Sequence, residues 1–368
     1  MLTNARPVSV LGTGVLVSAL LTFGVWVLGF RLDDVILAPD QGASWYYWKL
    51  PDPTVMSRLT AWLGYAAHQL VIWGLIIYAQ TRVKRYSAGL HPVNVVALLA
   101  NLVFIVLHTV QTHLFYDGLA QDVSIFSSQA SVVMLLVVVL LMENRRRGLI
   151  WGKTVPFKAS IVDFVRRYHG YLFSWAIIYT FWYHPMENTS GHLIGFFYIF
   201  LLLLQGSLFL TRFHTNRVWT VSLELLVAVH GTLVAVMQSG PNGIWPMFLF
   251  GFLAVFVLTQ MHGLGWSRRR KLIIAGTYVV AVVAVYAVRD LTAVHEIVRI
   301  PIIEYALVFV VALLVWLGLL IAGLVRRARP GGRPGPGHGD TGDGDGTDAA
   351  TRDDAQVGAG SAATVDRG

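Results

Sequence analysis

The chain contains 368 residues, of which 55% are hydrophobic and 13% are charged. Soluble domains carry roughly 25% charged residues, so this composition excludes an ordinary soluble domain and indicates a polytopic membrane protein. Cysteine is absent, which excludes disulfides, thiolate metal sites and cysteine nucleophiles. The formal net charge is +8, but Lys and Arg occur in short clusters between apolar runs. That distribution is typical of membrane topology, and we predict no nucleic-acid partner.

Ten apolar segments approach the roughly 20 residues that a helix needs to cross a bilayer. They lie near residues 9–30, 59–80, 92–113, 126–142, 169–184, 192–211, 218–238, 244–263, 271–288 and 302–325. The connections after the even-numbered segments are rich in Lys and Arg, whereas those after the odd-numbered segments are poorer in basic charge. Because basic loops stay on the cytoplasmic side, the pattern predicts an all-α, polytopic protein of the plasma membrane. About ten transmembrane helices are expected, with both termini in the cytoplasm.

Three further stretches differ from the spans in composition. Residues 329–368 are rich in Gly, Asp and Pro, which predicts a disordered cytoplasmic tail after a transmembrane domain over 1–328. The first outer loop contains the run WYYW at 45–48. This run is typical either of an aromatic belt at the membrane interface or of a lid over a pocket. Apolar residues at helical spacing over 157–168 predict a short helix in the cytoplasmic interface.

Several histidines are expected in the outer half of the membrane. From the topology and a rise of about 1.5 Å per residue, His68, His108 and His230 lie roughly 14, 8 and 11 Å below the outer surface. A lone imidazole at that depth needs a partner for its N–H group, in a structural hydrogen bond or in a shared site. Neutral imidazoles can bind Cu, Fe or Zn with an open position. We therefore predict a metal site at these three residues, with His184 and His192 as the next ligands.

His169 and His184 are fifteen residues apart on the fifth segment. This spacing corresponds to roughly 22 Å of rise and about 60° of rotation, so the two rings share a face near opposite membrane surfaces. A helix that holds two haem groups, one in each leaflet, would have this layout, and paired axial imidazoles suit electron transfer. The leading hypothesis is a membrane oxidoreductase that binds haem b or a His-ligated metal ion. Aromatic residues would line a pocket for quinone or another lipophilic molecule.

A proton-coupled transporter is the second hypothesis. Glu224 lies within the seventh segment, at nearly the same expected depth as Gln205 in the antiparallel sixth segment. The two side chains can hydrogen-bond, which would favour a proton on Glu224. An acidic group at membrane depth serves either to lock helices together or to relay protons. Ten spans are also common in transporters, although no proline interrupts a span.

A metal-dependent enzyme that modifies membrane lipids is the third hypothesis. It would use residues at the outer rim, with the aromatic loop as its lid. These residues are His113, Asp117, His184, Glu187 and His192. The candidate catalytic residues are His113 and Glu187 from this group, together with Glu224 from the seventh segment. The motifs HExxH, GxSxG and GxxxxGK[ST] do not occur in the sequence, so the chemistry has to be inferred from isolated side chains.

Overall fold

The computed structural model of this protein describes residues 7–42, 45–83 and 85–328. The predicted tail over 329–368 lies outside the described residues. The described part contains ten α-helices and three short 3-10 segments. The helices are α1 (Pro7–Gly29), α2 (Val55–Arg82), α3 (Pro92–Phe115), α4 (Ile125–Arg147), α5 (Ala159–Tyr183), α6 (Ser190–Ser207), α7 (Arg217–Ser239), α8 (Trp245–Leu258), α9 (Arg268–Arg289) and α10 (Arg299–Ala328). The 3-10 segments are Leu119–Gln121, Gln260–Leu264 and Leu291–Val298.

Eight helical segments in the described part are long and apolar enough to cross a membrane, which is consistent with a polytopic membrane protein. They comprise α1 to α4, α6, α7, α9 and the continuous stretch Leu291–Arg326, which includes α10 as far as Arg326. The helix α8 is apolar but has only 14 residues. The helix α5 has 25 residues and carries Asp163, Arg166 and Arg167 in its first half. All ten predicted segments are therefore helical, and eight of them meet the length and hydropathy expected of a span.

The fifth helix begins earlier than the sequence pattern predicts. A separate interface helix over 157–168 is wrong, because the chain is continuously helical from Ala159 to Tyr183. No turn separates the amphipathic residues from the apolar ones, and Ile161 and Val165 are buried against α4 and α10. Burial of these side chains explains why the amphipathic turns join the bundle instead of lying apart on a membrane surface.

Local sequence explains where several helices begin and end. Thr54 and Asn216 accept hydrogen bonds from backbone N–H groups in the first turns of α2 and α7, as N-cap side chains do. Gly148 ends α4 with a φ of 73°, and a Cβ atom there would lie 2.3 Å from the carbonyl carbon of Gly152. Only glycine fits this position, since it adopts positive φ without strain.

The largest cluster of buried side chains is aromatic and is built mainly by α2, α3, α5 and α6. The indole of Trp182 is 1% exposed and lies against α2. A Cβ atom at Gly64 would be 2.2 Å from this ring, so the glycine allows the two helices to approach closely. The histidines of the outer-half group are attached to this cluster, which fixes their positions.

Candidate functional site

The hydroxyl group of Tyr46 joins two histidines that are far away in the sequence. It lies 2.7 Å from Nδ1 of His184 and 2.9 Å from Nε2 of His192. His184 follows the last residue of α5, and His192 lies in the first turn of α6. The intervening loop is short, so α5 and α6 bring both rings to the same place. Tyr46 and His192 are buried and His184 is half-buried, so the three side chains form one polar group that is largely removed from solvent.

These side chains belong to a longer hydrogen-bonded chain. Nδ1 of His192 lies 2.8 Å from the hydroxyl of Thr189, the N-cap residue of α6. Tyrosine and threonine hydroxyls both donate and accept, and a neutral imidazole does one at each nitrogen. In the order Thr189, His192, Tyr46, His184, every hydrogen bond can therefore be donated towards His184, or every one can be donated towards Thr189. Such a chain can pass a proton from end to end without moving a heavy atom far.

Two other predicted histidines lie beside this group. Nε2 of His108 is 2.8 Å from the backbone carbonyl of His184 and donates to it. His230 faces the helix that carries His192, since a Cβ atom at Gly195 would lie 3.2 Å from its Nε2 atom. The imidazoles of His192, His230 and His108 lie within range of electrostatic interaction with His184. A positive charge on any of these three rings would therefore disfavour a proton on His184.

His68 has different partners from the other outer-half histidines. The indole N–H of Trp182 donates to its Nδ1 atom at 3.2 Å, so its Nε2–H donates to Oδ1 of Asn101 at 2.7 Å. Asn101 in turn donates to the hydroxyl of Ser207 at 2.8 Å. Both ring nitrogens of His68 are occupied and its tautomer is fixed. This geometry is that of a structural hydrogen-bond chain, and His68 lies outside the group formed around Tyr46.

The aromatic loop covers the histidine group. The ring of Trp48 lies edge-on against His192, with ring centroids 4.4 Å apart. The backbone N–H and carbonyl of Leu50 bind the side-chain amide of Gln121, each at 3.1 Å. The loop is therefore held by ring packing at Trp48 and by two hydrogen bonds at Leu50, and this arrangement favours the lid over the interface belt.

The predicted rim residues form a second polar layer. Tyr116 donates to Glu187 at 2.5 Å, and burial is the main reason that the pKa of Glu187 is raised. Burial also raises the pKa of Asp117, whose Oδ2 atom has no hydrogen-bond partner among the described residues. Both ring nitrogens of His113 face backbone carbonyls, those of Thr109 and Leu28, at 2.7 and 3.1 Å. His113 thus ties α3 to the end of α1.

Burial raises the pKa of Tyr46, and the next contributions come from Tyr116, Tyr183 and Glu187. The hydroxyl at the centre of the histidine group is therefore a neutral donor and acceptor at ordinary pH. It also lies within electrostatic reach of the rim carboxylate Glu187, which links the rim to the buried group.

Glu224 belongs to a separate site. Both terminal nitrogens of Arg147 bind its Oε1 atom, at 3.1 and 3.0 Å, and the arginine side chain is fully buried. The predicted hydrogen bond between Gln205 and Glu224 is wrong. Gln205 instead accepts from the indole of Trp219 at 2.7 Å and donates to the carbonyl of His214 at 2.9 Å. Arginine satisfies a buried carboxylate better than an amide does, because it supplies charge as well as donors.

The two histidines of the predicted haem helix have different neighbours. His169 lies 6.0 Å from His214, measured between ring centroids, and its Nδ1 atom binds the carbonyl of Arg166 at 2.7 Å. His184 belongs to the Tyr46 group. In the described part of the chain, no three side chains of His, Asp or Glu converge as metal ligands do. His68, His108 and His230 in particular do not meet at a single point.

Comparison with known proteins identifies no relative of this chain. The chain matches no family model, and no curated protein or solved structure matches it. Several residues of these sites were not singled out from the sequence, among them Arg147 and Trp182, and Tyr46 was considered only as part of the aromatic run at 45–48. A signal existed for Arg147, since it continues the buried positions Leu140 and Asn144 along α4 at helical spacing.

Proposed function

We propose that the chain crosses the plasma membrane ten times, with both termini in the cytoplasm. The ten helices at the ten apolar segments and the alternation of basic loops support this topology. The natural absence of cysteine makes the test direct. A single cysteine at Asp52 should react with a membrane-impermeant maleimide added to intact cells, whereas one at Arg269 should react only after the cells are broken. Labelling of Arg269→Cys in intact cells would contradict the proposed orientation.

We propose that the group around Tyr46 is an acid–base site. The observation that carries this proposal is the Tyr46 hydroxyl within hydrogen-bond distance of both His184 and His192. When Tyr46 donates to Nδ1 of His184, the proton of that ring is on Nε2. His184 can then give its Nε2 proton to a reacting group and receive another at Nδ1 from Tyr46, which is refilled from His192. The reverse sequence removes a proton from a substrate.

The substrate class that suits this site is a membrane lipid or another lipophilic molecule with a polar head. The site is enclosed by apolar helices and covered by aromatic side chains. An apolar cavity of about 440 Å³ lies between α1 and α3 and is lined by Leu28 and Thr109. The carbonyls of these two residues lie 2.7 and 3.1 Å from the ring nitrogens of His113, so the cavity ends at the polar rim. A hydrocarbon chain could lie in the cavity with its head group near the rim.

A lipid profile tests the proposal. Cells that lack the gene should accumulate one lipid species and lose another, and the full-length protein should restore the original profile. His192→Gln and Tyr46→Phe should fail to restore it at equal protein abundance. His295→Gln, which changes an exposed histidine of the segment Leu291–Val298, is the matched control and should restore it. An unchanged profile in the deletion strain, or full rescue by His192→Gln, would contradict an acid–base role in lipid chemistry.

A metal or haem centre is the second candidate, and one observation favours it. The Tyr46 oxygen lies 2.7 Å from His184 Nδ1 and 2.9 Å from His192 Nε2, and two imidazoles with one phenolate can ligate Cu, Fe or Zn. His169 and His184 remain the candidate haem ligands. Metal analysis and an optical spectrum of the purified protein distinguish the candidates. A stoichiometric metal that is lost in Tyr46→Phe, or a Soret band that is lost in His184→Gln, would replace the metal-free proposal with a redox or metalloenzyme function.

A further inference from the structure

A second buried polar site joins α4 to α7, apart from the histidines, and α10 packs against α4. Its known members are Arg147 and Glu224, which form an ion pair with no exposed arginine surface. The third member is Glu304 of α10, which is 2% exposed. Glu304 lies close enough to Glu224 for their charges to interact. Its neighbour Tyr305 shares a hydrogen bond of 2.8 Å with Thr259, which fixes this turn of α10 against the end of α8.

The hydrogen bonds within this site are unevenly distributed. Both bonds from Arg147 go to Oε1 of Glu224. Oε2 of Glu224 is 3.0 Å from an arginine nitrogen but accepts no well-oriented hydrogen bond, and Oε2 of Glu304 is also without a partner among the described residues. Buried polar atoms in folded proteins are almost always hydrogen-bonded. Arg147 Nε, an unpaired donor, belongs to the same ion pair as Glu224, whereas Oε2 of Glu304 is buried with no donor among the described residues. A proton on Glu304 removes the cost of burying a charge without a partner.

The charges of the site lead to the same conclusion. Arg147 pairs with Glu224, and Glu304 has no ion pair among the described residues, so full ionisation would leave one negative charge inside apolar packing. An unpaired buried charge is far more costly than the neutral acid. The other charged or titratable groups that interact with Glu224 are Glu143, Arg146 and Tyr198. They do not remove the excess negative charge, because Glu143 and Arg146 pair with each other.

We propose that Glu304 is a proton-binding residue, which holds one exchangeable proton beside the Arg147–Glu224 pair. The neutral carboxyl keeps a second negative charge away from Glu224, while Arg147 stays bound to Oε1 of Glu224. Loss of the proton leaves two carboxylates to share one guanidinium, so proton release and the pairing of Arg147 are linked. This site is independent of the proposed acid–base site around Tyr46. The ligand is a proton, and a monovalent cation such as Na⁺ is the competing occupant.

Infrared spectroscopy of the full-length protein in lipid nanodiscs tests this proposal. The protein should show the carbonyl band of a protonated carboxylic acid near neutral pH, shifted in D₂O and lost on alkaline titration. The band should disappear in Glu304→Gln, which is isosteric with the neutral acid and should fold. Glu143→Gln, a change in a partly exposed glutamate of α4, is the matched control and should keep the band. Retention of the same band in Glu304→Gln would overturn the proposal.

A second variant tests the link to Arg147. In Glu224→Gln the buried guanidinium loses its counter-ion, so Glu304 should ionise and the acid band should vanish although Glu304 is present. In Glu304→Asp the band should remain at a shifted frequency. Addition of Na⁺ at constant pH should change neither the wild-type acid band nor the band of Glu304→Asp. A loss of the wild-type band with Na⁺ would make the site a cation site, and a band that persists in Glu224→Gln would show that Glu304 does not respond to Arg147.

Discussion

The indole N–H of Trp182 lies 3.2 Å from Nδ1 of His68, on a helix that is 114 positions away in the sequence. This contact decides the role of His68. Because Nδ1 accepts from the indole, the ring proton is on Nε2, where Oδ1 of Asn101 accepts it at 2.7 Å. The imidazole works as a link between α2, α3 and α5, and it has no free nitrogen for a metal ion.

Replacing Asn101 with leucine should destabilise the protein. The change leaves Nε2–H of His68 buried without an acceptor, which costs about 1–3 kcal/mol. Unfolding in mixed detergent micelles, followed by circular dichroism, measures the loss. The double variant His68→Phe/Asn101→Leu should be closer to wild type than Asn101→Leu, because it removes both polar partners. A double variant that is less stable than the single one would contradict this account of His68.

Arg147→Met should destabilise the protein more than any other single change at the basic end of α4. It leaves Glu224 buried without its cation, and breaking one side of a buried ion pair costs on the order of 3–5 kcal/mol. The neighbouring Arg145 has a side chain that is 44% exposed and pairs with an exposed Asp163, so Arg145→Met should cost less than about 1 kcal/mol. Thermal unfolding in detergent compares the two variants, and equal losses would contradict the structural role of Arg147.

The sequence was a better guide to the helices than to the sites. Apolar runs long enough for a bilayer predict the helices, because every backbone polar group in hydrocarbon must be satisfied within its own segment. Helix ends were harder: α8 stops at Leu258 and α6 at Ser207, both earlier than the apolar runs suggest. His184 and His192 were found because the predicted topology places both at the outer rim of the membrane. The role of Tyr46 was not predicted, since this residue is 138 residues from His184. An aromatic run in a loop also has no sequence pattern that indicates which side chain it will contact.

Acidification should destabilise the protein through His214, which lies between α6 and α7. Burial, with a smaller contribution from His169, lowers the pKa of His214 from 6.5 to about 4. The folded state thus favours the neutral ring, so this stabilisation is complete above about pH 6.5 and is lost as the pH falls towards 4. The ring is only half-buried, so the effect is at most about 3 kcal/mol.

Melting temperatures at pH 7 and pH 5 measure the effect of His214. His214→Gln should reduce the difference between the two pH values, whereas His295→Gln, which changes an exposed ring, should leave it unchanged. An equal pH dependence in wild type and His214→Gln would assign the acid sensitivity to other groups.

The loop over the Tyr46 group should loosen when its anchor at Gln121 is removed. Gln121→Leu eliminates both hydrogen bonds to the backbone of Leu50, each of which contributes about 0.5–1.5 kcal/mol. Amide exchange around residues 45–50 should therefore become roughly tenfold faster or more, since each 1.4 kcal/mol corresponds to about a factor of ten. Gln80→Leu, which breaks similar bonds to Arg167 and Tyr171, should leave this exchange unchanged. Exchange by mass spectrometry in nanodiscs measures both variants. Unchanged exchange in Gln121→Leu would mean that the packing of Tyr46 and Trp48 alone holds the loop in place.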